Sequence, residues 1–302
     1  MGKSALALRL AQRYEADIIT ADSRQVYRYM DIGTAKPSGT ERALVPHYML
    51  DVVEPSDTYT AARFRDEAGR VLARTAASGR PALIAGGTGF YVRALLDSLS
   101  LPAVPPDPNR RAAYAAEVES LGVQALHRRL EELDPASATR IHPNNVSRVI
   151  RALEIVEETG CPVPAPDAGT AREALYLGLS MERRALHEIA DRRVLRQVDA
   201  GLVEETRLLL EMGYDPASPA LSGFGYREMV AYLSGRCTLA QAIEDYQVAT
   251  HRYIRRQMTW FRADRRIHWV EGFDPDAEAC RTIDEWLARA ASAEAPGSDE
   301  NG

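Results

Sequence analysis

Along the first hundred residues the apolar positions switch between two periods. Leu6, Leu8 and Leu10, with Ala7 and Ala11, thread a helix from about Lys3 to Tyr14, and the short apolar run Asp17-Ile18-Ile19-Thr20-Ala21 behind it suits a buried strand. Helical spacing over 61–77 leads into Pro81-Ala82-Leu83-Ile84-Ala85, a second strand closed by Gly86-Gly87. Strands alternating with helices predict an α/β fold with a parallel sheet.

The pattern changes at Pro102, Pro105, Pro106 and Pro108, which deny the chain a helix or an interior strand and mark a boundary. Residues from about Arg110 to Glu158 read as helical throughout, with breaks at Asp134-Pro135 and around His142-Pro143-Asn144; the proline-rich run Cys161 to Pro166 closes them. Leu175 to Leu179 returns as a strand, long helices follow to Arg262, and Ile267 to Val270 is the last strand. From Ala290 the composition predicts a disordered tail. The expected domains are a core in two parts, 1–104 and 171–289, a helical insertion at 105–170, and the tail at 290–302.

Formal net charge is −6, so no global field draws the protein to nucleic acid, and any such contact must be a local patch. Lys3 and Lys36 are the two lysines among 37 basic residues, which singles them out. Cys161, Cys237 and Cys280 are too far apart for a zinc site or a secreted disulfide framework, and no apolar run reaches the ~18–20 residues of a membrane span. A soluble, cytoplasmic monomer is expected.

Gly2-Lys3-Ser4 opens a helix. It is either an ordinary helix start or the second half of a phosphate-binding loop, in which backbone N–H groups cradle phosphate, the lysine neutralises it and the hydroxyl reaches a magnesium ion. Asp22-Ser23-Arg24-Gln25 follows the first strand directly, where open α/β sheets bind ligands. Asp22 is either a turn aspartate or a carboxylate placed to take a proton or hold a metal. Gly86-Gly87-Thr88-Gly89 ends the next strand in the same way. Arg148 and Arg151 lie one helical turn apart, as a phosphate-contacting helix needs. Tyr253, Trp260 and Phe261 are expected to pack the last long helix onto the core.

Together these motifs resemble the tRNA dimethylallyltransferase (tRNA isopentenyltransferase) family over residues 1 to about 270. The resemblance rests on Gly2-Lys3-Ser4, the stretch from Ala21 to Pro37, Pro46-His47-Tyr48 with Asp51, Gly86 to Tyr91, Ile141 to Asn144 with Arg148 and Arg151 to Glu154, Gly223 to Glu228, and Arg256 to Arg262. Asn145 and Ile189 depart from the residues usual in that family.

The resemblance implies a phosphate-loop parallel sheet flanked by helices, with an inserted all-helical tRNA-binding domain. It implies transfer of a dimethylallyl group from its diphosphate to N6 of the adenosine on the 3′ side of the anticodon, with Mg2+ as cofactor and the tRNA anticodon arm as partner. By position, Asp22 would be the general base, Thr88 would orient the reacting groups, and Gly2, Lys3, Ser4 and Arg193 would hold pyrophosphate, Ser4 also reaching the metal. Asp22, Ser23, Arg24, Gln25, Thr88, Arg111 and the segment Ser147, Arg148, Val149, Ile150, Arg151 would meet tRNA. An adenylate isopentenyltransferase and an RNA-binding protein without catalysis are the alternatives. Because the phosphate loop is incomplete, an upstream strand and glycine are expected before Met1, and the chain as written is expected to be unstable or inactive.

Overall fold

The computed structural model describes residues 2–102, 104–164, 170–271 and 276–294. Two compact units emerge, one made of Met1–Leu96 with Arg172–Gly302 and the other of Asp97–Ala171. Proline-based boundaries had been expected at 104/105 and 170/171.

The first unit begins with α1 (Lys3–Arg13), β1 (Asp17–Ala21), α2 (Gly39–Leu44), β2 (His47–Tyr48), α3 (Ala61–Ala77), β3 (Ala82–Gly86) and α4 (Gly89–Leu96). All three strands are parallel in the order β2-β1-β3, with Ile18 opposite His47 and the full length of β1 paired from Asp17–Ala82 to Ala21–Gly86. Every residue of β1 is buried, as its unbroken apolar run requires of a central parallel strand. Its one acidic residue, Asp17, is paired with Arg80 and accepts a hydrogen bond from Thr75. This register sets the carboxyl ends of β1 and β3 side by side. Sequence patterning had no purchase on β2, which is two residues long.

Four helices make the second unit: α5 (Pro108–Leu121), α6 (Val123–Leu133), α7 (Pro135–Arg140) and α8 (Val146–Thr159). Asp107 and Asp134 cap α5 and α7, each followed by a proline at the first helical position, where a missing N–H costs nothing. Gly122, at φ +79°, separates α5 from α6 where an unbroken helix had been expected. Tyr114, Leu126, Leu130, Val149, Leu153 and Val156 form the core.

The chain then returns to the first unit with β4 (Tyr176–Ser180), α9 (Arg183–Asp199), α10 (Leu202–Glu211), α11 (Tyr226–Leu233), α12 (Leu239–Arg262), β5 (Ile267–Glu271) and α13 (Asp276–Glu294). β4 and β5 form a second parallel pair. The expected tail is corrected in part: residues 290–294 continue α13, and 295–302 lie outside the described residues. The main core joins Ile19, Met30, Phe64, Leu95, Tyr226 and Tyr246, and so locks α3, α4, α11 and α12 around β1. No helix of the described residues is long and apolar enough to cross a membrane.

Candidate functional site

A cleft of about 510 Å³ opens at the carboxyl end of the sheet, in the first unit. Gly2, Lys3, Ser4, Asp22, Ser23, Arg24, Gln25 and Arg193 all line it, although Arg193 stands 171 positions beyond Asp22 in the chain. Asp22 leaves β1 in a tight turn and accepts the Arg24 N–H at 2.9 Å. The Ser23 N–H donates to Thr88 Oγ1 at 3.0 Å, and the Thr88 N–H donates to the Ala21 carbonyl at 3.1 Å. Two sequence motifs 65 positions apart are thereby stitched together by the pairing of β1 with β3.

Cations dominate one side. Burial pulls the Lys3 ammonium below the usual lysine range; Asp22 pulls it back up and Arg193 lowers it further. The Lys3 ammonium makes no hydrogen bond or ion pair with a described residue. Arg193 projects from α9, and its Nε is buried without a hydrogen-bond partner among the described residues. Burying charged or polar groups this way costs free energy unless a counter-charge arrives. Gly2 caps α1 with a left-handed φ of +72° and no side chain caps the helix, so its first-turn N–H groups face the same cleft. The arrangement suits a polyanion.

Magnesium takes oxygen ligands and usually keeps waters, using one or two carboxylates plus substrate phosphates. Among the described residues no group of three or more His, Cys, Asp or Glu could hold a metal. The Ser4 hydroxyl and Asp22 carboxylate line the same cleft, a sparse oxygen set that fits an ion carried in with a phosphate group.

Two residues that hold the wall of this cleft, Glu205 and Gln197, carried no signal in the sequence. Glu205 of α10 accepts the successive N–H groups of Asp31, Ile32 and Gly33 at 2.9, 2.8 and 3.1 Å, and the Tyr226 hydroxyl at 2.5 Å. Gln197 donates to the Ile32 and Gly33 carbonyls, and Tyr246 donates to Gln197. A Cβ on Gly33 would lie 2.5 Å from the Tyr226 ring, so only glycine fits. Lys36, whose side chain is 1% exposed, bonds to Asp31, Asp51 and the Tyr27 carbonyl. Gln25 Nε2 donates to the carbonyls of Thr34 and Ala35, and Arg24 donates to the carbonyls of Pro219 and Ala220. These polar groups hold the wall of the cleft in place.

In the second unit, Ser147 and Arg148 are exposed at the start of α8, and the Arg148 guanidinium makes no hydrogen bond or ion pair with a described residue. Arg111 bonds to Glu154 through two nitrogens, at 2.6 and 2.9 Å. Arg151 bonds to Glu154 and to the Val104 carbonyl. Val149 is corrected: its side chain is 1% exposed and faces the core of the unit, so it is unavailable to a macromolecular ligand. Ile150 packs against the same core while half-buried.

The family model described as IPP transferase matches residues 25–264. The chain is 44% identical over 277 residues to the tRNA dimethylallyltransferase of Thermomicrobium roseum, covering 91% of this chain and 84% of that one. It is 45% identical over 275 residues to the enzyme of the same name from Geobacter sulfurreducens, covering 89% and 88%. The full-length tRNA isopentenylpyrophosphate transferase of Bacillus halodurans superposes with a TM-score of 0.72 at 38% identity, covering 97% of this chain and 95% of that one. A eukaryotic dimethylallyltransferase acting on tRNA shares the fold, with a TM-score of 0.76 at 24% identity, covering 99% and 78%. The cleft and its sheet are those of a transferase with an α/β core. The chain belongs to the IPP transferase family.

Proposed function

We propose that this chain transfers the dimethylallyl group of dimethylallyl diphosphate to N6 of the adenosine on the 3′ side of a tRNA anticodon, releasing pyrophosphate. The observation that carries the reading is the pairing, in one cleft, of Asp22 with two cations, Lys3 and Arg193, that have no counter-ion bonded to them among the described residues. As the allylic C–O bond breaks, negative charge builds on the diphosphate. Lys3, Arg193 and the first-turn N–H groups of α1 stabilise it. The new bond forms between the allylic carbon and N6, and Asp22 takes the proton that N6 loses, a step worth ~10²–10⁴-fold for a weakly nucleophilic amine. A magnesium ion held at Ser4 supplies further neutralisation of the diphosphate when bound.

Thr88, hydrogen-bonded to Ser23 beside Asp22, orients the reacting groups. Ser147 and Arg148 on α8 meet the anticodon arm, and a loop base is cheap to unstack. The test is single-turnover transfer of labelled dimethylallyl diphosphate into tRNA and, separately, into AMP. Label is expected in tRNA, and Asp22→Asn should lower the rate by ~10²–10⁴-fold with tRNA affinity nearly intact. Transfer to AMP as fast as to tRNA, or a near-normal rate in the variant, would refute the assignment.

A further inference from the structure

α12 carries the motif Arg256 to Arg262 past the carboxyl end of β3. The buried stripe of the helix runs Ala242, Tyr246, Thr250, Ile254 and Gln257. A glutamine at the end of that stripe is costly to bury unless its amide is used, since a methionine would fill the space without the polar atoms. The amide is used. Gln257 Nε2 donates to the Gly87 carbonyl at 2.7 Å, a buried bond between residues 170 positions apart. The Tyr253 hydroxyl, at 3.4 Å, is at the far limit of reach of the same oxygen. So close an approach needs glycine: a Cβ on Gly87 would lie 2.1 Å from Gln257 Nε2. One turn further along α12, Trp260 stands as close to Gly89, where a Cβ would lie 2.1 Å from the indole Nε1. The two side chains bracket Thr88.

The bond falls on a peptide unit that is also held at its other edge. The Gly87 carbonyl and the Thr88 N–H belong to one planar group, and the N–H donates to the Ala21 carbonyl at 3.1 Å. β1 therefore grips one edge of that plane and α12 the other. Gly87 has no side chain to limit its backbone, and these two bonds fix the plane. Thr88 follows from it: its own carbonyl accepts the Tyr91 N–H at 2.9 Å to start α4, and its Oγ1 accepts the Ser23 N–H at 3.0 Å beside Asp22. We propose that Gln257 is a positioning residue for the transfer, its amide fixing the Gly87–Thr88 peptide and, through it, the Thr88 hydroxyl against the Asp22-Ser23 turn. The inference rests on the reading in which Thr88 orients the reacting groups. Without the amide donor a buried carbonyl is left to find another partner, and the plane tilts toward one, drawing the Thr88 N–H off Ala21.

The test uses the full chain with Gln257→Met, which keeps the volume and removes the donor, and with Gln257→Asn, which keeps the amide but ends one methylene short. In each, kcat is expected to fall about tenfold while KM for tRNA and for dimethylallyl diphosphate changes less than about twofold, the signature of orientation lost at the reacting groups. Amide exchange followed by NMR supplies a readout that does not depend on turnover. Protection of the Thr88 amide should fall about tenfold in both variants while the amides of Ile18, Ile19 and Thr20 in β1 keep theirs. Transfer at the parent rate in Gln257→Met, or unchanged Thr88 protection in that variant, overturns the inference. So does a fall shared equally by Thr88 and β1, which would mark general loosening. A parent chain that transfers no label would count against the proposed function, while Thr88 protection would still decide whether Gln257 holds the peptide.

Discussion

Lys3 and Arg193 are arranged at the expense of the free protein's stability. For Lys3 the folded pKa lies below the unfolded value near 10.5, so in the window beneath 10.5 the unfolded chain holds the extra proton and stability rises with pH through that window. At neutral pH the buried ammonium opposes folding until an anion meets it. Pyrophosphate is accordingly expected to raise the melting temperature of the parent, by the equivalent of about 2.7 kcal/mol at a hundredfold excess over Kd. Lys3→Met and Arg193→Met should each lose most of that shift, and Lys3→Met should melt no lower than the parent when both are free of ligand. Thermal melts with and without pyrophosphate check both statements; a full ligand shift in either variant would remove that residue from the anion site.

At the scale of elements, α5 and α8 are tied by one carboxylate. Glu154 is 1% exposed, and although burial works against its ionisation, Arg111, the Asp107 N–H and Arg151 outweigh that effect and hold it below the ordinary range. A depressed carboxyl pKa contributes stability that is present above the unfolded value near 4.5 and lost as pH falls through the folded value. Amide protection factors in 108–159, corrected for the intrinsic exchange rate at each pH, should therefore fall on acidification below about 4.5. Glu154→Gln should be less stable at pH 7 by about 1–3 kcal/mol, because it removes charge-assisted hydrogen bonds to two part-exposed arginines, and should show a flatter acid response. Equal pH dependence in parent and variant would show that the pairing does not support the unit.

The elements also show what a sequence can reveal. Asp17–Ala21 and Ala61–Ala77 carry their periods locally and were legible to the residue. Gly122 was not, because one glycine between helical patterns does not announce the left-handed φ that ends α5. α13 runs into 290–294, whose composition reads as a tail, as the end of a helix that Ala279 and Ile283 anchor against Leu6 and Leu10 of α1. In the site, Asp22 and Thr88 were visible as strand-end residues. Glu205 and Gln197 were not: each acts on a partner more than 160 positions away, and such pairing leaves no local pattern.

For the molecule as a whole, a net charge of −6 sets the terms on which RNA can be bound. Attraction has to come from individual arginines, and it competes with the repulsion of the remaining surface. Arg148 has its charge unspent, whereas Arg111 and Arg151 are already engaged by Glu154. Arg148→Ala is expected to weaken tRNA binding and reduce the slope of log affinity against log salt by about 0.7–1, the share of one phosphate contact. Arg151→Ala should reduce the slope less and cost more stability. Binding titrations at several salt concentrations, paired with thermal melts, separate the two; a full unit of slope lost at Arg151 and none at Arg148 would move the RNA surface away from the start of α8.

The loop at 31–33, cradled by Glu205, also has a consequence in time. Loop amides ordinarily meet water often and exchange their hydrogens quickly, while those of buried strands wait for rare openings. Here three successive loop N–H groups are committed to one carboxylate, and that carboxylate is held in turn by Tyr226 from the main core. Asp31, Ile32 and Gly33 should thus exchange on the slow clock of the core. Glu205→Ala should return them to the fast clock while the amides of β1 keep theirs. The wall of the cleft would then keep its shape through many cycles of binding and release, and motion between turnovers would fall to other parts of the chain.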